Sequence, residues 1–145
     1  MADRGVVREK EADLSNPIFH MVAGAPEPVA PYSHAGEADG WLFVTGQVPS
    51  DPDDAAAPFP YGIDAQTRRV MDNLELVLDG LGLGLEYAVA ARVFLTHFDE
   101  DYRKMDRVYE SYFAPDRLPA RTCIGVTGLA KGARVEIDLV VCRSS

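Results

Sequence analysis

The sequence predicts an α+β domain in which one mixed sheet carries two helices on one of its faces, in the order β-β-β-α-β-α-β-β. Three observations carry that prediction. Val70, Leu74, Val77, Leu78 and Leu81 recur at helical spacing and mark one buried stripe. Tyr102, Met105, Val108, Tyr109, Tyr112 and Phe113 mark a second. The remaining apolar segments are short, and two of them, near the end of the chain, alternate with period two, as strands do.

In chain order, residues 1–16 are polar and aperiodic and read as a loose tail, which leaves residues 17–145 as a single domain. Ile18 to Val22 reads as a short strand, followed by a Pro-rich stretch from Ala25 to Pro31. Ser33–Glu37 and Trp41–Val48 read as strands joined at Asp39-Gly40, a strong short-range hairpin signal. Asp51 to Tyr61 is a loop. Asp64 is the expected N-cap of the first helix, which closes in Gly80-Leu81-Gly82-Leu83-Gly84. That glycine run ends a helix and does not join a strand to one, so it is a cap and turn, not a dinucleotide loop. Tyr87 to Phe98 is the next strand, and Asp99-Glu100-Asp101 then supplies negative charge suited to a helix N-terminus.

The last two strands, Pro119–Val126 and Val135–Val141, are expected to form a hairpin through Gly128–Gly132. In that register Cys123 faces Glu136 and Arg121 lies on the diagonal, within reach of a long side chain. A cation, a thiol and a carboxylate would then share a patch able to bind a small anion. With both helices on the other side, this face would carry Arg121, Cys123 and Glu136 beside apolar residues such as Val140, and would be buried against other subunits. An ordinary surface ion pair contributing roughly 0–1 kcal/mol is the competing reading of the same residues.

Composition narrows the function classes. At 145 residues the chain has room for one core, and 47% apolar with 26% charged residues is ordinary for a globular protein. A net charge of −9 disfavours a nucleic-acid partner, whose binding depends on Lys and Arg neutralising phosphates. No apolar run approaches the ~20 residues of a membrane span, and no secretory signal is evident. Cys123 and Cys142 suit a reducing compartment, so a cytoplasmic location is expected. His20, His34 and His97 lack metal-ligand spacing, and no metal site is expected. His34 reads equally as a lining residue and as a surface histidine.

Several segments together resemble the RidA/YjgF family of reactive-intermediate (enamine/imine) deaminases. They are Ala30-Pro31-Tyr32-Ser33, Val44-Thr45-Gly46-Gln47-Val48-Pro49, and Gln66-Thr67-Arg68 leading to Asn73-Leu74. Val93-Phe94-Leu95-Thr96, Val108-Tyr109 with Tyr112-Phe113, Pro119-Ala120-Arg121-Thr122-Cys123 and Lys131–Ile137 complete the set, in order, over about residues 18–141.

The resemblance implies a chorismate-mutase-like fold, a homotrimer with sites in clefts between subunits, and no cofactor. It implies hydrolysis of 2-aminoacrylate and related enamine/imine acids to 2-oxo acids and ammonia. By position it assigns carboxylate binding to Arg121, water positioning to Glu136, and substrate contacts to Tyr32, Gly46 and Cys123. His34, His97 and Asp106 depart from the residues common in the family, which bears on substrate identity. Other outcomes for such a chain are a non-catalytic carboxylate-binding trimer, a 2-aminomuconate-type deaminase, or the ribonuclease label once given to some relatives. Within the chain itself, a Cys with no base placed to activate it favours a lining role for Cys123. Gly46 inside a strand suggests close backbone approach to a ligand, or a β-bulge.

Overall fold

Two amphipathic helices need one apolar surface to lie on, and six strands provide it. The computed structural model describes residues 16–143. Strands β1 (Ile18–His20), β2 (Ala35–Ala38) and β3 (Trp41–Gln47) form an antiparallel meander. Helix α1 (Ile63–Gly80) leads to β4 (Ala88–Leu95), and α2 (Phe98–Glu110) to β5 (Ala120–Gly125). Strand β6 (Val135–Cys142) comes last in the chain but sits in the middle of the sheet, whose order is β1-β2-β3-β6-β4-β5. The expected tail, residues 1–16, lies outside the described residues except for Asn16.

The last two strands are therefore not a hairpin. Strand β6 pairs antiparallel with both β3 and β4, while β5 pairs parallel to β4 at the sheet edge. Residues 126–134 carry the chain past β4, with Val126 N–H donating to the Leu95 carbonyl and Thr96 N–H to that of Arg134. The sheet is mixed as expected, and the expected element order holds.

The two stripes lie where their spacing puts them. Val70, Met71, Leu74, Val77 and Leu78 of α1 and Met105 of α2 are fully buried against Leu42, Val93, Leu95, Val135 and Ile137 of the sheet. Burying each such side chain contributes on the order of 1.5–3 kcal/mol. Helix α1 starts after Gly62 with no side-chain cap, so Asp64 sits within its first turn and is not the N-cap. Its end is a Schellman arrangement: Leu83 N–H donates to the Leu78 carbonyl and Gly82 N–H to Asp79. At the start of α2, Asp101 is buried and receives two hydrogen bonds from Arg134, at 2.7 and 2.9 Å.

Among the described residues, the other sheet face has no helix. It carries Phe43, Ile124 and Trp41, all substantially exposed, with an Arg92–Asp138 ion pair among them at 2.6 Å. No helix among the described residues is long and apolar enough to cross a membrane.

Candidate active site

Register decides which of the candidate residues can meet. On β5, Arg121 and Cys123 lie beside Ala91 and Val93 of β4, whose side chains are buried under the helices. Arg121 and Cys123 are therefore on the helix-covered side, not on the open face. Glu136 pairs with Phe94, between the buried Val135 and Ile137, and so points to the open face together with Asp138 and Val140. Arg121 and Glu136 thus occupy opposite faces, with β4 between their strands and the strands roughly 10 Å apart. The shared patch expected from the hairpin does not exist within one chain, because β6 joins β3 and β4 instead of β5.

Two half-sites result. The first surrounds Glu136. Strand β3 has a bulge between Val44 and Gln47, with one more residue than β6 opposite it. Gly46 lies in this bulge, and a Cβ built there would stand 2.4 Å from Glu136 Oε2. Gly46 therefore sits in a bulge, and the room left by its missing side chain is occupied by the Glu136 carboxylate. Glu136 makes no hydrogen bond to another described residue. Burial, and then the neighbouring Asp138 carboxylate, push its carboxyl above the ordinary range, while Arg92 acts the other way. The loop before β2 is tied to the same place, since Thr45 Oγ1 donates to the Ser33 carbonyl at 2.6 Å. Tyr32, the next residue back, is partly exposed, and its hydroxyl accepts the Val29 N–H at 3.2 Å.

The second half-site surrounds Arg121. Asp106 Oδ1 lies 2.6 Å from its Nη1, and its Nη2 donates to the Tyr102 hydroxyl at 3.0 Å. The guanidinium carbon stands 4.8 Å from the centre of the Tyr109 ring. Burial opposes the charge of Arg121, but Asp106 more than offsets it, so the side chain is held firmly protonated. Cys123 stands two residues along the strand. Burial raises its thiol above the usual range, with Arg121 acting to lower it and Asp106 to raise it. A thiol raised in this way is a weak nucleophile.

Three partners of Arg121 were not among the sequence candidates. Tyr102, Asp106 and Tyr109 stand four and then three residues apart on α2, one above another on the same helical face. The signal was present in the sequence: Asp106 is a carboxylate set into an otherwise apolar stripe. His34 is also reassigned. It is neither exposed nor lining: it is buried, its Nδ1 accepts the Val22 N–H at 2.8 Å, and its Nε2 donates to the Pro26 carbonyl at 2.7 Å. Both ring nitrogens are used to hold the loop after β1. His97 ends the loop before α2, with its Nδ1 3.0 Å from Thr96 Oγ1.

Comparisons with known proteins agree with this architecture. The family model described as Endoribonuclease L-PSP matches residues 22–143. A RutC family protein of Synechocystis is 38% identical over 120 residues, covering 83% of this chain and 92% of the relative. Among solved structures, YyfA of Yersinia pestis, from the conserved Rid protein family, superposes with a TM-score of 0.81 at 31% identity, covering 88% of this chain and 99% of the other. The structure of Escherichia coli TdcF with bound serine superposes with a TM-score of 0.77 at 25% identity, covering 86% and 99%. The chain belongs to the RidA/YjgF family.

Proposed function

We propose that this protein is an enamine/imine deaminase, converting 2-aminoacrylate-type acids to 2-oxo acids and ammonia in a cleft formed by two copies of the chain. The observation that carries the reading is Glu136: a half-buried carboxylate without a hydrogen-bond partner among the described residues, beside a position kept free of a side chain at Gly46. Such a group is suited to hold a water and take its proton. Arg121 is the natural anchor for the substrate carboxylate, because a guanidinium keeps donors to spare after bonding Asp106 and Tyr102. A family relative crystallised with serine, itself an amino acid with a carboxylate, is in keeping with such an anchor.

In this mechanism Arg121 of one subunit fixes the carboxylate of a 2-imino acid. Water held by Glu136 of the neighbouring subunit attacks C2, giving its proton to the carboxylate. The carbon–nitrogen double bond becomes a single bond in a carbinolamine. Glu136 passes that proton to the nitrogen, then takes the proton of the new hydroxyl and delivers it to the nitrogen as the carbon–nitrogen bond breaks, so ammonia leaves and the hydroxyl oxygen becomes the carbonyl of the 2-oxo acid. An enamine first takes a proton at C3 to become the imine. The separation of Arg121 and Glu136 onto opposite faces supports a site shared between chains, and the apolar open face supports a buried interface there. The family resemblance supports an assembly of three. The net charge of −9 argues against the nuclease chemistry in the family model's description.

The test is ammonia release from 2-aminoacrylate generated in situ by a pyridoxal-phosphate dehydratase. Acceleration by the protein, lost in both Arg121→Lys and Glu136→Gln, is the expected result. No acceleration, with calorimetry still showing 2-oxo acid binding, would leave a carboxylate-binding protein instead.

A further inference from the structure

The anchor arginine is already half spent. Asp106 holds one of its terminal nitrogens at 2.6 Å, and the Tyr102 hydroxyl takes the other. Next to it opens a depression of about 300 Å³ lined by Asp106, Tyr109, Glu110, Leu118, Pro119 and Arg121. One cation there faces two carboxylates. The Tyr109 ring forms part of the same wall. The Tyr109 hydroxyl is buried and has no hydrogen-bond partner among the described residues, although its ring lies under the guanidinium. A buried hydroxyl normally has a partner.

A carboxylate bound on the remaining edge of Arg121 falls within the roughly 4–6 Å over which one charge shifts another. It therefore feels Asp106 as well as Arg121. For a substrate with no other charge, the attraction to Arg121 is reduced but still outweighs the repulsion, because the guanidinium is the nearer charge. A second negative charge in the side chain would meet Asp106 and Glu110 unopposed. A positive one would restore the balance, and the Leu118–Pro119 wall would receive the stem that carries it.

Resting on the deaminase reading above, we propose that Asp106 sets the charge preference of the site, favouring 2-imino acids with a cationic side chain over those with an anionic one. Asp106 is a specificity-determining residue here, acting on the substrate directly and through Arg121.

The experiment compares kcat/KM for imines generated by amino-acid oxidases from arginine, leucine and glutamate, in the parent protein, Asp106→Asn and Asp106→Glu. In parallel, calorimetry measures binding of the corresponding 2-oxo acids. The parent should rank arginine-derived above leucine-derived above glutamate-derived substrates. Asp106→Asn should shrink the arginine-to-glutamate ratio by about tenfold, while Asp106→Glu, which keeps the charge, should largely preserve it. A parent that handles the glutamate-derived imine as well as the arginine-derived one overturns the proposal, whatever the variants do. So does an unchanged ratio in a folded Asp106→Asn protein. If no imine is turned over, yet 2-oxo acids bind in the same charge order and lose it in Asp106→Asn, the deaminase reading fails and the charge preference stands.

Discussion

Arg121 and Glu136 point to opposite faces of one sheet, with strand β4 lying between the strands that carry them. Any small ligand touching both must be held between two molecules. Five expectations follow from this and from the packing around it.

Two inactive variants should repair each other. In trimers refolded from an equal mixture of Arg121→Ala and Glu136→Gln chains, about a quarter of the sites combine an intact Arg121 with an intact Glu136. Deaminase activity should return to about that fraction of the parent's. If both residues served a site from the same chain, mixing would restore nothing.

Gly46→Ala should separate activity from stability. The added methyl would stand 2.4 Å from Glu136 Oε2, the movable end of a side chain. The carboxylate can swing aside at small cost to folding, but it then leaves the position in which it holds water. Thermal melting should shift by only a few degrees, while turnover falls about tenfold or more. A fully active variant would count against Gly46 as a spacer for Glu136.

The acid limb of the pH–rate profile should lie above the ordinary carboxyl value of 4.5, because burial and Asp138 raise Glu136 and the water chemistry needs it ionised. The linkage to stability has a definite sign. Between 4.5 and the raised value, the folded chain binds more protons than the unfolded one at this position, so folding stability falls as pH rises through that window. Glu136→Gln should therefore melt higher than the parent at neutral pH, with the gain vanishing in acid. Asp138→Asn should move the kinetic limb downward. A limb at or below 4.5 would contradict the burial of Glu136 as the dominant cause.

His34→Ala should destabilise the fold by about 2–4 kcal/mol, since it leaves the Val22 N–H and the Pro26 carbonyl without their partner. Urea unfolding followed by fluorescence would measure it. A change below 1 kcal/mol, or loss of turnover with unaltered stability, would instead return His34 to the site.

A charge on the open face should break the assembly. Val140 lies there, and Trp41, the chain's single tryptophan, is 43% exposed nearby. The parent should scatter light as about three copies of the 15.8 kDa chain. Val140→Asp should lower that mass, red-shift the Trp41 emission and remove activity together. An active single chain would rule out the shared cleft.

Local rules were legible because their causes are local. Both helical stripes follow from spacing alone, and the Asp39-Gly40 turn has the two positive φ angles, 52° and 80°, that its sequence calls for. Alternation along β5 correctly separated Arg121 and Cys123 from Thr122 and Ile124. It could not say which set faced the helices, since period two assigns residues to faces but names neither face. Nor does it identify a strand's neighbour. Two consecutive strands with a glycine-containing connection look like a hairpin, yet residues 126–134 are long enough to pass over β4. The placement of Arg121 under α2 depends on Asp106, which supplies the countercharge that lets a guanidinium lie beside a core.

The central position of β6 has a consequence for how the molecule is made. Without that strand, β1–β3 form one antiparallel ribbon and β4–β5 a parallel pair, and no strand pairing joins them. As the chain leaves the ribosome, everything up to Gly132 can be present while the sheet is still in two pieces. The Glu136 pocket then does not exist, and the edges of β3 and β4 are bare. The pairing of β6 with β3 spans about ninety to a hundred residues of chain, a slow kind of contact to close. Until β6 inserts, those two edges are the places where a nascent chain is open to wrong strands, its own or another's.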